Sequence, residues 1–227
     1  MVTLPVTVLA VALDLDGTLL DTLPDIAVAA QRMLQHLGRA PVDERTVRSY
    51  IGNGIPRLTK RLLTGTRDGE PEPELFAQAL RLFEENYSHA LSERTRPFPG
   101  VAEGLLRFRS QGLGLACITN KAEAFTLPLL EATGLRGWFA VVVSGDSLAQ
   151  KKPDPLPLLH CARVFGIEPA QLLVVGDSEA DVQAARAAGC PVFCVSYGYS
   201  AREVQDLNCD AIVDSLIEAA ALVGPNK

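Results

Sequence analysis

The sequence has no apolar run of the roughly 18 to 20 residues that a membrane-spanning helix needs, which excludes such a helix. It has no block of like charge either: 21 Lys and Arg stand against 27 Asp and Glu, for a net charge of -6. With no basic patch, neither nucleic acid nor an anionic membrane surface is an expected partner. Cysteines are few and odd in number. The five thiols, Cys117, Cys161, Cys190, Cys194 and Cys209, include no C-x-x-C pair, so the expectation is reduced, mostly buried thiols in a cytoplasmic protein. The three histidines, His36, His89 and His160, stand alone on helix-like segments, and zinc finds no cluster to bind.

The N-terminal stretch MVTLPVTVLAVAL lacks the positive n-region of a signal peptide, although Ala10-Val11-Ala12 imitates a cleavage site. It runs directly into Asp14 and reads instead as a buried strand. What the chain does have is apolar content: 48% of its 227 residues are hydrophobic and 21% charged, enough for a real core in one large domain or one domain carrying an insertion. It contains no internal repeat.

From about residue 100 onward, short apolar runs alternate with helix-period segments. Residues 113–119, 139–144, 172–176 and 192–196 read as buried parallel strands, with helices over 121–133, 154–165 and 178–188 between them. That order predicts an α/β fold with a parallel sheet, whose ligands bind at the carboxyl ends of the strands. Residues 22–95 differ, since they hold helical stripes and no convincing strand. One stripe is Ile26, Ala30, Met33, Leu34 and Leu37, closed by Gly38; another is Leu75, Phe76, Ala79, Leu80, Phe83 and Tyr87. The expectation is a core of residues 1–21 and 96–227 with a helical cap of 22–95, rejoined through the linker Arg96-Pro97-Phe98-Pro99-Gly100.

Chemistry gathers at the strand ends. Asp14-Leu15-Asp16-Gly17-Thr18 closes the run 6–13, and carboxylates at i and i+2 on an extended chain lean to one side. The alternative is a polar strand end and a turn. Thr119-Asn120-Lys121 brings a hydroxyl and an amide able to donate to phosphoryl oxygens, and reads equally as a helix N-cap. Gln150-Lys151-Lys152-Pro153 brings an ammonium group just ahead of a proline. Gly176-Asp177-Ser178-Glu179-Ala180-Asp181 sets two acids four apart across a helix start, where capping accounts for one more easily than for both.

The order and spacing of these four motifs resemble the phosphatases of the haloacid dehalogenase superfamily. The resemblance spans nearly the whole chain and implies a three-layer, Rossmann-like core with an inserted cap. It implies that Asp14 is the nucleophile, forming an aspartyl-phosphate, and that Asp16 is the acid and base. Thr119, Asn120 and Lys152 match the phosphate-binding residues. Asp14, Asp177 and the Asp16 carbonyl match the ligands of Mg²⁺, which Mn²⁺ can replace, and Asp181 acts behind them. Charge counting points the same way, because a phosphate dianion beside Asp14, Asp177 and Asp181 repels by about 4 kcal/mol per close pair at an effective dielectric near 20.

Tyr50-Ile51-Gly52-Asn53-Gly54 resembles the aromatic-x-G-N-G segment of bacterial phosphoglycolate phosphatases, and Ser196-Tyr197-Gly198-Tyr199 a stretch near their last core strands. The expected cap contacts are therefore Tyr50, Gly52, Asn53 and Gly54, with the glycines as a backbone nest for a carboxylate; a tight interhelical turn is the other reading. Arg57, Lys60 and Arg61 stand nearby, either to aid an anionic substrate or to face solvent. Leu13 replaces the family's common Phe and Tyr50 its common Trp. The expected reaction is hydrolysis of a small phosphorylated metabolite, 2-phosphoglycolate, to glycolate and phosphate. Its rivals are another phosphate ester such as N-acetylmuramate 6-phosphate, a phosphosugar mutase, and a non-catalytic phosphate-binding module.

Overall fold

A computed structural model describes residues 3 to 224; Met1, Val2 and residues 225–227, which the expected core includes, lie outside the described residues. The chain opens with β1 (Ala10–Leu13) and a short β2 (Leu20–Asp21). Four helices follow, α1 (Leu23–His36), α2 (Glu44–Tyr50), α3 (Ile55–Thr64) and α4 (Pro73–His89), and then β3 (Arg96–Pro97). The remainder alternates as α5 (Val101–Ser110), β4 (Gly114–Ile118), α6 (Glu123–Ala132), β5 (Val141–Val143), α7 (Leu156–Phe165), β6 (Leu172–Gly176), α8 (Glu179–Ala188) and β7 (Val192–Val195). It closes with β8 (Ala211–Val213) and α9 (Leu216–Ala221).

Six strands form a parallel sheet in the order β5-β4-β1-β6-β7-β8. Alternate residues of each strand sort into two cores, as the period of two requires. Val11, Leu13, Leu115, Leu173, Val175 and Phe193 face α5, α6 and α9 on one side. Ala10, Ala12, Ala116, Ile118, Val174 and Cys194 face α7 and α8 on the other. The result is the three-layer α/β architecture the sequence predicts. Because β4 and β5 extend the sheet on one side of β1 and β6 to β8 on the other, the carboxyl end of β1 marks the reversal of winding. Sheets of this kind bind ligands there.

Helices α1 to α4 pack on one another around Met33, Leu34, Val47, Leu62, Ala79, Phe83 and Tyr87, with Leu37 and Tyr50 partly buried at the edge. Both ends of this insertion are fastened. The segment expected as a plain linker pairs antiparallel with β2, Asp21 opposite Arg96 and Leu20 opposite Pro97. The buried Asp25 carboxylate accepts from the backbone N–H groups of Arg94 and Thr95 and from the Thr95 hydroxyl, at 2.7 to 3.1 Å. These bonds offset the cost of burying the charge.

Two expected strands are shorter than their apolar runs. The run 6–13 is sheet only from Ala10, and Val6 makes a separate bridge to Val223. The run 139–144 pairs only as Val141–Val143. All five cysteines are free thiols and four are buried. Among the described residues no helix is long and apolar enough to cross a membrane.

Candidate active site

Asp14 sits at the tip of β1, and its backbone N–H donates to the Val175 carbonyl at 2.9 Å, which ties it to β6. Its buried Oδ1 accepts from Lys152 Nζ at 2.7 Å. Asp16 lies on the same side, and both its oxygens accept from Lys121 Nζ at 3.0 Å. Gly17 then turns the chain with φ of 89°, a conformation a side chain would strain.

Lys152 is buried between acids. Its ammonium also donates to Asp181 Oδ1 and to the Ile118 carbonyl, both at 2.6 Å, so its three N–H donors are all committed. Burial works against its charge, but Asp14 and Asp181 outweigh it and the pKa lies above the ordinary lysine value. Its neighbour Lys151 reaches instead to the Asn53 carbonyl of the insertion, at 3.0 Å.

Asp177, just past β6, accepts from the Tyr199 backbone N–H at 2.5 Å. Asp181 Oδ2 accepts from the backbone N–H and hydroxyl of Ser178, at 3.1 and 2.6 Å, the reciprocal capping arrangement at the start of α8. Asp14, Asp177 and Asp181 each bring one oxygen into a group spanning no more than 4.8 Å. Burial pushes Asp14 up to about 7, with Lys152 opposing and Asp181 reinforcing the rise. Burial raises Asp177 as well, with Asp14 and Asp181 adding to it.

The donors are all hard carboxylate oxygens, and space is kept around them. A Cβ on Gly198 would lie 2.6 Å from Asp177 Oδ2, and one on Gly17 would lie 3.0 Å from Asp177 Cγ. Such a group can hold a hard divalent cation. The Asp16 carboxylate, by contrast, faces Lys121, so any part Asp16 has in holding metal falls to its backbone carbonyl, as the sequence expectation has it.

Thr119 is buried at the end of β4, and its hydroxyl accepts from the Lys121 backbone N–H at 3.2 Å, leaving its own O–H to donate. The Asn120 side chain is engaged within the protein rather than turned to the cavity as a donor. Both of its amide hydrogens are committed, to the Gly52 carbonyl at 3.0 Å and the Lys152 carbonyl at 2.8 Å. It bridges the helical insertion to the lysine segment of the core, a role that only the folded contact reveals.

These strand ends form one wall of a cavity of about 410 Å³, solvent mouth included, through Asp14, Asp16, Thr119, Asn120 and Lys121. The insertion supplies the other wall with Ile26, Ile51, Gly52, Gly54, Ile55 and Leu58. Of the four cap residues expected to meet substrate, Gly52 and Gly54 reach the cavity. Tyr50 and Asn53 are instead the framework of the turn: buried Arg61 donates to the Tyr50 carbonyl at 2.7 Å and to Asn53 Oδ1 at 2.8 Å. Arg57 pairs with Asp68 and Glu70 at 3.0 and 2.7 Å, and Lys60 with Glu70 at 2.5 Å. None of these three cations lines the cavity.

Sequence reasoning missed three residues. Lys121 stood in the quoted motif without a role, yet it is buried against Asp16. Tyr199 ties Asp177 to the insertion, since its hydroxyl donates to Asp21 at 2.5 Å and accepts from the Leu23 N–H at 3.0 Å. Arg48 of α2 donates to the Tyr197 and Gly198 carbonyls. The aromatic stretch 196–199 was the available signal for the last two.

Residues 11–195 match the family model of the haloacid dehalogenase-like hydrolases. The chain belongs to that family. It is 56% identical over 224 residues to a protein of Thiobacillus denitrificans named phosphoglycolate phosphatase, covering 98% of this chain and 99% of that one. A Nitrosospira multiformis protein of the same name is 57% identical over 220 residues, covering 96% and 97%. Among solved structures, a predicted phosphoglycolate phosphatase from Haemophilus somnus superposes with a TM-score of 0.89 at 32% identity, covering 94% of this chain and 97% of that one. The haloacid dehalogenase-like fold thus extends over the insertion as well as the sheet.

Proposed function

We propose that this chain hydrolyses 2-phosphoglycolate to glycolate and phosphate through an aspartyl-phosphate on Asp14. The chain is a phosphoric monoester hydrolase, the class of its relatives of 56 and 57% identity. The observation that carries the mechanism is the strand-end group itself, a buried carboxylate paired to Lys152 beside two further acids, at the cavity between the sheet and the helical insertion.

In this reading Asp14 attacks phosphorus and the bond from phosphorus to the glycolate oxygen breaks. Asp16 delivers a proton to that leaving oxygen. A water then attacks the aspartyl-phosphate, Asp16 takes its proton, and phosphate leaves with Asp14 regenerated. Lys152 holds Asp14 against rotation and brings positive charge to the phosphoryl oxygens, while the Thr119 hydroxyl donates to one of them. Asp14, Asp177 and the Asp16 carbonyl would hold Mg²⁺, with Asp181 orienting Lys152 behind them. When bound, that ion offsets the charge of the phosphate and the acids and polarises the phosphoryl group.

The helical insertion acts as the cap that closes over the substrate. The apolar side chains of Ile26, Ile51, Ile55 and Leu58 line the side of the cavity that would face the alcohol portion and exclude water there. The cytoplasm, where free thiols persist, is the compartment that suits the five unpaired cysteines.

The test is kcat/KM for phosphate release with Mg²⁺ over 2-phosphoglycolate, several sugar phosphates, β-glucose 1-phosphate and pyrophosphate. A clear preference for 2-phosphoglycolate is expected. A preference for a sugar phosphate would overturn the substrate and keep the chemistry.

A further inference from the structure

We propose that Lys121 is the residue that recognises the substrate carboxylate, from the same position in which it holds Asp16. The inference rests on the 2-phosphoglycolate reading and adds the group that reads its acid end.

The ester oxygen and the carboxylate of that substrate are separated by a single methylene. Asp16 must reach the ester oxygen to protonate it, so a group touching the Asp16 carboxylate lies beside the substrate carboxylate too. Lys121 Nζ touches both Asp16 oxygens at 3.0 Å, and its side chain is 2% exposed. Among the described residues that line the cavity it is the one cation. The other candidates are engaged elsewhere. Lys152 has three acceptors already, Arg61 holds the 50–53 turn, and Arg57 and Lys60 are paired with Asp68 and Glu70.

The surroundings of the ammonium favour an exchange of partner. The Tyr87 ring lies 4.8 Å from Nζ, which steadies the charge without supplying a competing carboxylate. A substrate carboxylate entering beside the Asp14 carboxylate without a cation would be repelled by it. With Lys121 it gains a charge-assisted hydrogen bond in a water-poor cavity, where such a bond is strongest. A phosphate ester of equal size whose alcohol portion is uncharged gains nothing from this ammonium at that end. Discrimination for an acid then arises in the core, two residues beyond the Thr119 hydroxyl, rather than from cations of the cap.

The test compares 2-phosphoglycolate with ethyl phosphate, a similar ester without the carboxylate, in wild type and in Lys121→Met. The variant should lower the ratio of the two kcat/KM values by about 10- to 100-fold, mostly by raising KM for the acid. Lys121→Gln, which keeps a donor to Asp16 and removes the charge, should do the same and serves where Lys121→Met fails to fold. If both substrates lose activity equally and the ratio stands, Lys121 only orients Asp16 and the proposal is overturned. If wild type itself shows no preference for the acid, the 2-phosphoglycolate reading fails before any variant is read.

Discussion

Substituting Gly198 by alanine probes the acidic group without touching any of its members. Gly198 has an ordinary negative-φ backbone, so the added methyl brings no backbone strain of its own. Its Cβ would lie 2.6 Å from Asp177 Oδ2 and 2.8 Å from Asp177 Cγ. It would lie closer still to Asp177 Cβ, and since carbon atoms in ordinary contact stand about 3.5 to 4.0 Å apart, the Asp177 side chain or the 197–199 loop must give by more than about 1 Å. Asp177 has little freedom to do so, because it is buried and bonded to the Tyr199 N–H at 2.5 Å. Overpacking of this kind costs about 1 to 3 kcal/mol, which for a chain of this size lowers Tm by about 2 to 12 °C. Displacing a metal ligand should also raise the Mg²⁺ concentration for half-maximal phosphate release, by about tenfold or more. The control is Gly137→Ala, where nothing lies within 4 Å of the added Cβ and no effect is expected. A Gly198→Ala enzyme with unchanged Tm and an unchanged Mg²⁺ titration would refute the claim that this glycine keeps space for Asp177 and its ion.

Further expectations follow from the same geometry. Asp14→Asn should lower phosphate release by roughly a thousandfold or more while the protein still melts cooperatively, since the change removes a charge whose burial is costly; near-normal turnover would exclude Asp14 as nucleophile. Lys152→Met leaves Asp14 and Asp181 without their shared cation and should cost about 3 to 5 kcal/mol in chemical denaturation, and an unaltered unfolding curve would contradict a buried ion pair. Arg61→Ala releases the Tyr50 carbonyl and Asn53, so KM should rise more than kcat falls; a loss confined to kcat would point to a catalytic role instead. Burial holds Asp14 at about 7 and raises Asp177, so the folded protein binds these protons more tightly than the unfolded chain. The contribution of each to stability is complete below the ordinary aspartate pKa and is lost as pH rises through its own raised pKa, which for Asp14 is about 7. A cation replaces the protons, and added Mg²⁺ should raise Tm more at pH 8 than at pH 5. Equal gains at the two pH values would separate metal binding from these acids.

The strand ends were legible because each motif is continuous in sequence and three of the four directly follow an apolar run. Asp14, Thr119, Lys152 and Asp177 could be read without knowing which strands are neighbours. The helical stripes of α1 and α4 were legible for the same reason, since their spacing is local. Some of the missing elements are too short or too exposed to leave a pattern, although α5, ten residues long with Val101, Leu105 and Phe108 buried, is not. The edge strand β8 has three residues, with Ile212 38% exposed, and α9 has six. The roles of Asn120, Arg61 and Tyr199 depend on partners distant in sequence, such as Gly52 for Asn120 and Asp21 for Tyr199, which no local spacing encodes. The sequence left Arg57 and Lys60 open between an anionic substrate and solvent, and only the fold brings the acids of the 68–70 turn against them.

The most direct test of the central claim is a rapid acid quench of wild-type enzyme turning over 2-phosphoglycolate with Mg²⁺, followed by mass spectrometry of the peptide that holds Asp14. The account predicts a phosphoryl adduct on that side chain, formed before phosphate is released and absent from Asp14→Asn. Rapid phosphate release with no adduct on Asp14, or an adduct on another residue, would contradict it.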